Sequence, residues 1–403
     1  MSRRGIALAA AAGVALAVAT APVANAAAAP PTTSASPPTS TASIPDSQRD
    51  QVLPKGWRSA NDRAVTTDGD STGLHVLVAD AKDGYTWRTA ATLSEPGTET
   101  DQWIADSCVT GSGSRAVVVY APRQMVNSDD GFQRGGLVAI VDLSSGSVTK
   151  LPIRASLAYY NPGCGTGEDA VVTENLYAGS KYVSRLITVD AATGKITRSV
   201  DADGQVTSSV PVKGDVVAAK GSLVVSVDGR GGEHQLLETH GTPFRLGMDA
   251  QGGVGYEVRT EKDTQLHRIV SGKDSLLTTV KRDSVQLHQV AGKLFVQGQD
   301  AKQAVAKTAL PAGWQAVNTA ADAQLSTSGG LAVTSSDNMT QSSGKAPAPG
   351  VAALARTISI QHSTITVPRA AAPGRPTCCR TAMGSTMRAR NCVKGIWTST
   401  RPW

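Results

Sequence analysis

Apolar residues in this chain come in short runs, each ended by a polar turn built from Asp, Gly and Ser. LVAIVDLSSGSVTKL (Leu137 to Leu151) and LITVDAATGKITRSV (Leu186 to Val200) are near copies of each other. Both read as an apolar run, an Asp, a Gly-containing turn and a second short strand. LVVSVDGRGGEHQLL (Leu223 to Leu237) and LHRIVSGKDSLLTTV (Leu266 to Val280) repeat the pattern more loosely. Val dominates the runs, and branching at Cβ suits the pleated surface of a strand. Long helical periodicity is absent beyond the first 26 residues, and turn residues recur at hairpin intervals.

The spacing of these hairpins predicts the architecture. Units start near Asp62, Trp103, Leu157, Val206, Phe244, Val285 and Ala321. A Gly-containing turn precedes a short apolar strand at Gly113, Gly167, Gly214, Gly252 and Gly292, with spacings of 54, 47, 38 and 40 residues. Four strands of about 5 to 6 residues with short turns fill about 40 to 50 residues, the size of one propeller blade. Six complete units and a partial seventh predict an all-β fold over residues 46–344, a β-propeller of about seven blades. Paired β-sandwiches are the alternative, because strand periodicity does not fix closure.

The two ends read differently. Arg3 and Arg4, the apolar run Ile6 to Ala21 and the small-residue site Ala24-Asn25-Ala26 predict a signal peptide over residues 1–26, cut between Ala26 and Ala27. The run is too short and Ala-rich to favour a transmembrane anchor. Residues 27–45 are an Ala/Pro/Ser/Thr linker, predicted to be disordered because it has no apolar surface to offset its ordering entropy. After Asp337 no acidic residue follows, and Val351 to Trp403 holds seven Arg, one Lys and three Cys. Residues 345–403 are therefore expected to be an atypical basic tail, disordered or read out of frame.

Composition narrows the function. The net charge of +6 belongs to the ends; residues 27–350 carry 29 basic and 33 acidic residues, a net charge of −4. A mildly acidic body lacks the clustered Lys and Arg that neutralise phosphates, so nucleic-acid binding is not expected. Aromatic residues make up 4% of the chain, so the core has to be built from Val, Leu, Ile and Ala.

Cys108 opens CVTGSGSRAVVVY and Cys164 opens CGTGEDAVV, at corresponding positions of adjacent units. In an exported protein this pair is expected to form a disulfide. Asp68, Asp70 and Thr72 resemble the start of a calcium loop, but Ala79 stands where the bidentate Glu belongs, and a hairpin turn is the competing reading. No other cofactor or metal is expected. Gly163 to Gly167 lacks the Lys and the helix of a phosphate loop and reads as a turn. No H-E-x-x-H occurs, and the six histidines are scattered, so they read as surface or turn residues. Glu95, Asp101, Glu168 and Glu174 are the nearest carboxylate candidates for glycoside cleavage, with no sign of which face a channel. Trp87, Trp103 and the Tyr159-Tyr160-Asn161-Pro162 loop are the main aromatic contact surfaces, with core packing the simpler use.

WRSANDRAVTTDGDSTGLHVLVADAKDGYTWRTAATLSEPG, LAYYNPGCGTGEDAVV and LITVDAATGKI resemble the N-terminal region of large secreted actinomycete proteins that often carry golvesin-type modules further along. The resemblance covers about Trp57 to Val333. It implies an extracellular propeller-like module with no assigned activity and carries over no catalytic residue. The expected function is a secreted, monomeric, non-catalytic binding or scaffold module for extracellular polysaccharide, cell wall or protein. A secreted polysaccharide hydrolase or lyase, or the N-terminal fragment of a larger secreted protein, is the alternative.

Overall fold

The computed structural model describes residues 46–53, 55–126, 133–157, 161–178, 181–319, 323–329, 331–333 and 358–359. The signal and linker expected over 1–45, and the 345–403 tail apart from two residues, lie outside the described residues.

The chain folds as consecutive meanders. The first sheet holds β1 (Arg63–Gly69), β2 (Leu74–Asp80) and β3 (Trp87–Leu93). The second holds β4 (Trp103–Val109), β5 (Arg115–Pro122), β6 (Gly136–Asp142) and β7 (Val148–Ala155). The third holds β8 (Gly163–Cys164), β9 (Asp169–Ala178), β10 (Lys181–Asp190) and β11 (Lys195–Asp203). The fourth holds β12 (Val206–Val212), β13 (Asp215–Lys220), β14 (Leu223–Val227) and β15 (Glu233–Glu238). The fifth holds β16 (Thr242–Met248), β17 (Val254–Arg259), β18 (Asp263–Val270) and β19 (Lys273–Lys281). In the sixth, β20 (Gln286–Val290) and β21 (Lys293–Gly298) are antiparallel, and a helical turn, Ala301–Ala304, brings β22 (Trp314–Asn318) in parallel to β21. β23 (Gln324–Leu325) and β24 (Leu331–Val333) follow.

The near-copy segments are the last hairpins of four sheets: β6–β7, β10–β11, β14–β15 and β18–β19. Their recurring Asp closes the turn. Asp142 Oδ1 accepts the Ser144 and Ser145 N–H groups, Asp190 Oδ1 accepts that of Ala192, and Asp228 Oδ1 accepts those of Arg230 and Gly232. Such a side chain satisfies turn amides that no ladder reaches. In β18–β19 the Asp is absent, and Ser271 (φ +50°) with Gly272 (φ +75°) makes a two-residue turn of the twist a hairpin needs. The five glycine turns at 113, 167, 214, 252 and 292 all join the first and second strands of a sheet.

The core is a series of layers between neighbouring sheets. In β5, Ala116, Val118 and Tyr120 pack with Leu74, Val76 and Trp103, while Val117 and Val119 pack with Ala170, Val172 and Ile187. Both faces of the strand are buried, so its sequence is a continuous apolar run, not an alternating one. The same division recurs in β13, where Val216 and Ala218 face one layer and Val217 and Ala219 the next. Each fully buried Val or Leu contributes about 1.5–3 kcal/mol. Trp103 lies against Tyr120 with ring centroids 5.7 Å apart, and Trp87 is buried. Both tryptophans are core residues.

Closure sets the blade number. β1 runs opposite to β4, because Arg63 at its start reaches the Gly113 carbonyl at one end while Trp103 N–H donates to the Asp70 carbonyl at the other. β1 is therefore the second strand of its blade. β23, from the chain's last unit, lies beside it, and Thr327 N–H donates to the Arg63 carbonyl at 2.8 Å. The partial unit at Ala321 and the first unit thus share one blade, and the fold is a six-bladed β-propeller. The expected propeller forms; the seven units counted along the chain become six blades.

Candidate functional site

Polar side chains seal the junction of the two ends of the ring. Asp62, just before β1, is buried. Its Oδ2 accepts the Tyr85 hydroxyl at 2.6 Å and the Ser326 hydroxyl at 2.7 Å. Its Oδ1 accepts the Thr327 hydroxyl at 2.9 Å and the Ser328 N–H at 2.6 Å. Burial by itself would raise its carboxyl; the hydrogen bonds from Tyr85, Ser326 and Ser328 outweigh that and hold it below the usual carboxylate range.

The first hairpins of three blades come together near the axis. Gly111 N–H donates to the Gly167 carbonyl at 2.7 Å, and Gln289 Nε2 donates to the Gly165 carbonyl at 3.2 Å. A Cβ on Gly111 would lie 1.9 Å from the Thr166 carbonyl oxygen, so only glycine allows this approach. The segment Gly163 to Gly167 serves here as a strand end and turn.

Beside this crossing is an axial cavity of about 300 Å³. Innermost strands β4, β8, β16, β20 and β23 contribute to its wall, and Thr66 and Thr67 of β1 reach it beside Gln324. Asp106, on β4, is the exceptional wall residue. Among the described residues no hydrogen-bond donor or cation meets its carboxylate, and burial alone pushes its carboxyl up to about 7. Ser107 flanks it on the same strand and also lines the cavity.

Arg245 faces the same cavity from β16. Pairing with β17 is irregular between Phe244 and Gly247, and Arg245 sits in the left-handed region at φ +52°. A bulge of this kind re-aims a side chain away from its ladder position. Arg245 Nη1 lies 3.3 and 3.4 Å from the two ring nitrogens of His288, which places the guanidinium against the imidazole. Behind it, Glu257 Oε1 is 4.0 Å from Arg245 Nε and also accepts the Leu287 N–H. Glu257 Oε2 is buried with no hydrogen-bond partner. Burial pushes the Glu257 carboxyl up to about 7, against the smaller opposing pull of Arg245.

A disulfide forms one part of the wall. Cys108 on β4 and Cys164 on β8 are bonded, with Cα atoms 5.7 Å apart. The bond joins two neighbouring innermost strands and closes a loop with a sequence separation of 56, worth about 4 kcal/mol in the chain-entropy account.

The other sequence candidates fall elsewhere. Asp70 Oδ1 accepts the Thr72 N–H, the Thr72 hydroxyl and the Gly73 N–H, and its Oδ2 is 3.2 Å from His75 Nε2. Asp68 Oδ1 accepts the Gly69 N–H. Asp68, Asp70 and Thr72 thus serve the β1–β2 hairpin, and among the described residues no cluster of three acidic, His or Cys side chains is placed to hold a metal. Glu95, Asp101, Glu168 and Glu174 pair with Lys150, Arg123, Arg115 and Arg185, away from the cavity. Of the aromatic loop, Asn161 and Pro162 line the cavity, and Tyr159 and Tyr160 lie outside the described residues. Reading histidines as surface groups missed His288, and Asp106 and Arg245 carried no local motif. Their one signal was position on the first strand of a unit.

These features define a propeller with a charged axial cavity. No family model and no curated protein matches the chain. Among solved structures, TolB from Acinetobacter baumannii is similar at a TM-score of 0.38 and 15% identity, over 59% of this chain and 61% of that one. The acylaminoacyl peptidase of Pyrococcus horikoshii is similar at a TM-score of 0.38 and 10% identity, over 59% of this chain and 41% of that one. The Dos1 propeller is similar at a TM-score of 0.36 and 13% identity, over 58% of this chain and 62% of that one. The matched region thus spans less than two thirds of each of these chains.

Proposed function

We propose that this is an exported, non-catalytic binding or scaffold propeller that seats an extracellular partner over its axial cavity. The observation that carries the reading is Asp106, a carboxylate that meets no donor or cation among the described residues, on a cavity wall that also presents Arg245. An isolated charge is costly to bury, and a ligand that neutralises it recovers that cost. Loops and inner-strand residues on a rigid frame are where such sites are built. The Cys108–Cys164 disulfide supports export, because such bonds persist in oxidising compartments. Extracellular polysaccharide, cell wall and secreted protein are the partner classes, met by a monomer at the cell surface or in the medium. The role fits a leading module of the secreted actinomycete type.

One observation favours a second reading, a polysaccharide hydrolase or lyase. A carboxyl near 7 is what a general acid needs. Against it, Asp106 is the one carboxylate among the described lining residues, and Glu257, behind Arg245, is tied to the Leu287 N–H.

The two readings separate in one experiment. Full-length protein is incubated with cell-wall preparations and a panel of polysaccharides, and both retention and reducing-sugar release are measured. Saturable retention without sugar release, lost in Asp106→Asn, supports the binding module. Sugar release abolished by Asp106→Asn moves the assignment to the hydrolase. Retention unchanged in both Asp106→Asn and Arg245→Gln rejects the cavity as the site.

A further inference from the structure

The axial cavity is small and carries one charge of each sign from opposite sides of the chain's fold. Asp106 enters from β4 with no cation or donor on it among the described residues. Arg245 enters from β16, held against His288 and turned out of its ladder by a left-handed backbone. The two share one space of about 300 Å³ without pairing with each other; the carboxylate against Arg245 is that of Glu257, 4.0 Å from its Nε. Uncharged hydrogen-bonding groups, Thr66, Thr67, Ser107 and Gln324, fill out the wall. Only a chain end or side group of a polymer fits such a volume, which lies at the lower limit of ligand pockets. A simple cation would satisfy Asp106 and be repelled by Arg245; a simple anion would meet the reverse problem. A ligand with both charges supplies a cation to Asp106 and an acceptor to the Arg245 guanidinium, and is repelled by neither.

We propose that the cavity binds a small zwitterion, its ammonium on Asp106 and its carboxylate on Arg245. The inference rests on the reading of this cavity as the binding site and names the chemistry it accepts. Two sources present that chemistry: a free amino acid, and the two ends of a short peptide. The ammonium would donate charge-assisted hydrogen bonds to Asp106, and the planar guanidinium would offer paired N–H donors to the carboxylate.

The test is titration calorimetry on the full chain with free amino acids and unblocked dipeptides. Their N-acetyl derivatives lack the ammonium, and their amides lack the carboxylate. The expected result is millimolar or tighter binding of one unblocked class, weakened about tenfold or more by blocking either end. Preference for amino acids or for dipeptides identifies the source. Asp106→Asn, of nearly the same shape and relieved of the buried charge, is expected to stay folded and to lose the distinction between free and N-acetylated ligands. The proposal is overturned if no zwitterion binds at millimolar concentration, or if Asp106→Asn binds them unchanged. If polymer or wall retention still depends on Asp106 while zwitterions fail, only the ligand class is wrong. If that retention is also indifferent to Asp106, the binding-site reading falls with it.

Discussion

Removing the Asp62 carboxylate should loosen the ring where its first and last units meet. Asp62 accepts four hydrogen bonds, three from the 326–328 turn and one from Tyr85. Each hydrogen bond to a charged acceptor is worth about 1.5–3 kcal/mol net. The three hydroxyl donors can rotate toward water once the site opens, which recovers much of their share, whereas the Ser328 N–H is fixed by the backbone. We therefore expect Asp62→Ala to cost about 3–5 kcal/mol, the range found on breaking a buried charged cluster. Urea unfolding of the full chain gives the total, and hydrogen exchange gives the place. Amides of 326–329 and of Arg63 should lose protection before those of β13 or β17. Asp62→Asn keeps the shape and should fall between the two. Stability of Asp62→Ala within about 0.5 kcal/mol of the parent, or uniform loss of protection around the ring, would refute the clasp. The pH dependence has a defined sign. The folded carboxyl is held below its unfolded value, so between the two the unfolded chain binds more protons and stability rises with pH. The contribution is complete above about pH 4 and is lost as pH falls through the depressed value.

Other consequences follow from the same geometry. Replacing Cys108 and Cys164 together by Ser should lower stability by up to about 4 kcal/mol, read as a fall in the urea midpoint; an unchanged midpoint would mean that the ring holds those strands without the bond. Gly111→Ala drives a methyl onto the Thr166 carbonyl and should cost about 2 kcal/mol or more, with a cavity mutant elsewhere as control; a neutral result would place the turns further apart than 2.7 Å hydrogen bonding implies. Asp106 has the opposite sign to Asp62. Its folded carboxyl is raised to about 7, so the native state binds the extra proton and stability falls as pH rises from about 4 to 7. Asp106→Asn should flatten that slope and gain on the order of 1 kcal/mol at pH 8, a modest figure because cavity water screens the charge; an identical slope in parent and variant would remove the argument.

Hairpins, their order and the apolar strands were legible because local chemistry dictates them. The Asp142, Asp190 and Asp228 turns are capped by a side chain within four residues, and a window of that length shows the reason for the Asp. The five glycine turns marked the first hairpin of successive blades for the same reason. Even the Cys108–Cys164 bond followed from equivalent places in adjacent repeats. The blade number did not follow, because it depends on which strand starts the circle. The direction of β1 against β4, fixed by contacts of Arg63 with Gly113 and of Trp103 with Asp70, makes the first and last units one blade. The site was hidden more deeply. Asp106, Arg245 and His288 stand 139 and 43 residues apart in sequence, on strands of three different blades, and nothing local distinguishes them from other charged strand residues. Only radial packing brings their strands to a common axis, where partial burial leaves an ordinary aspartate with no cation or donor on it among the described residues. Short-range turn chemistry and strand pattern are properties of the sequence; the meeting of distant charges around one cavity is a property of the closed ring.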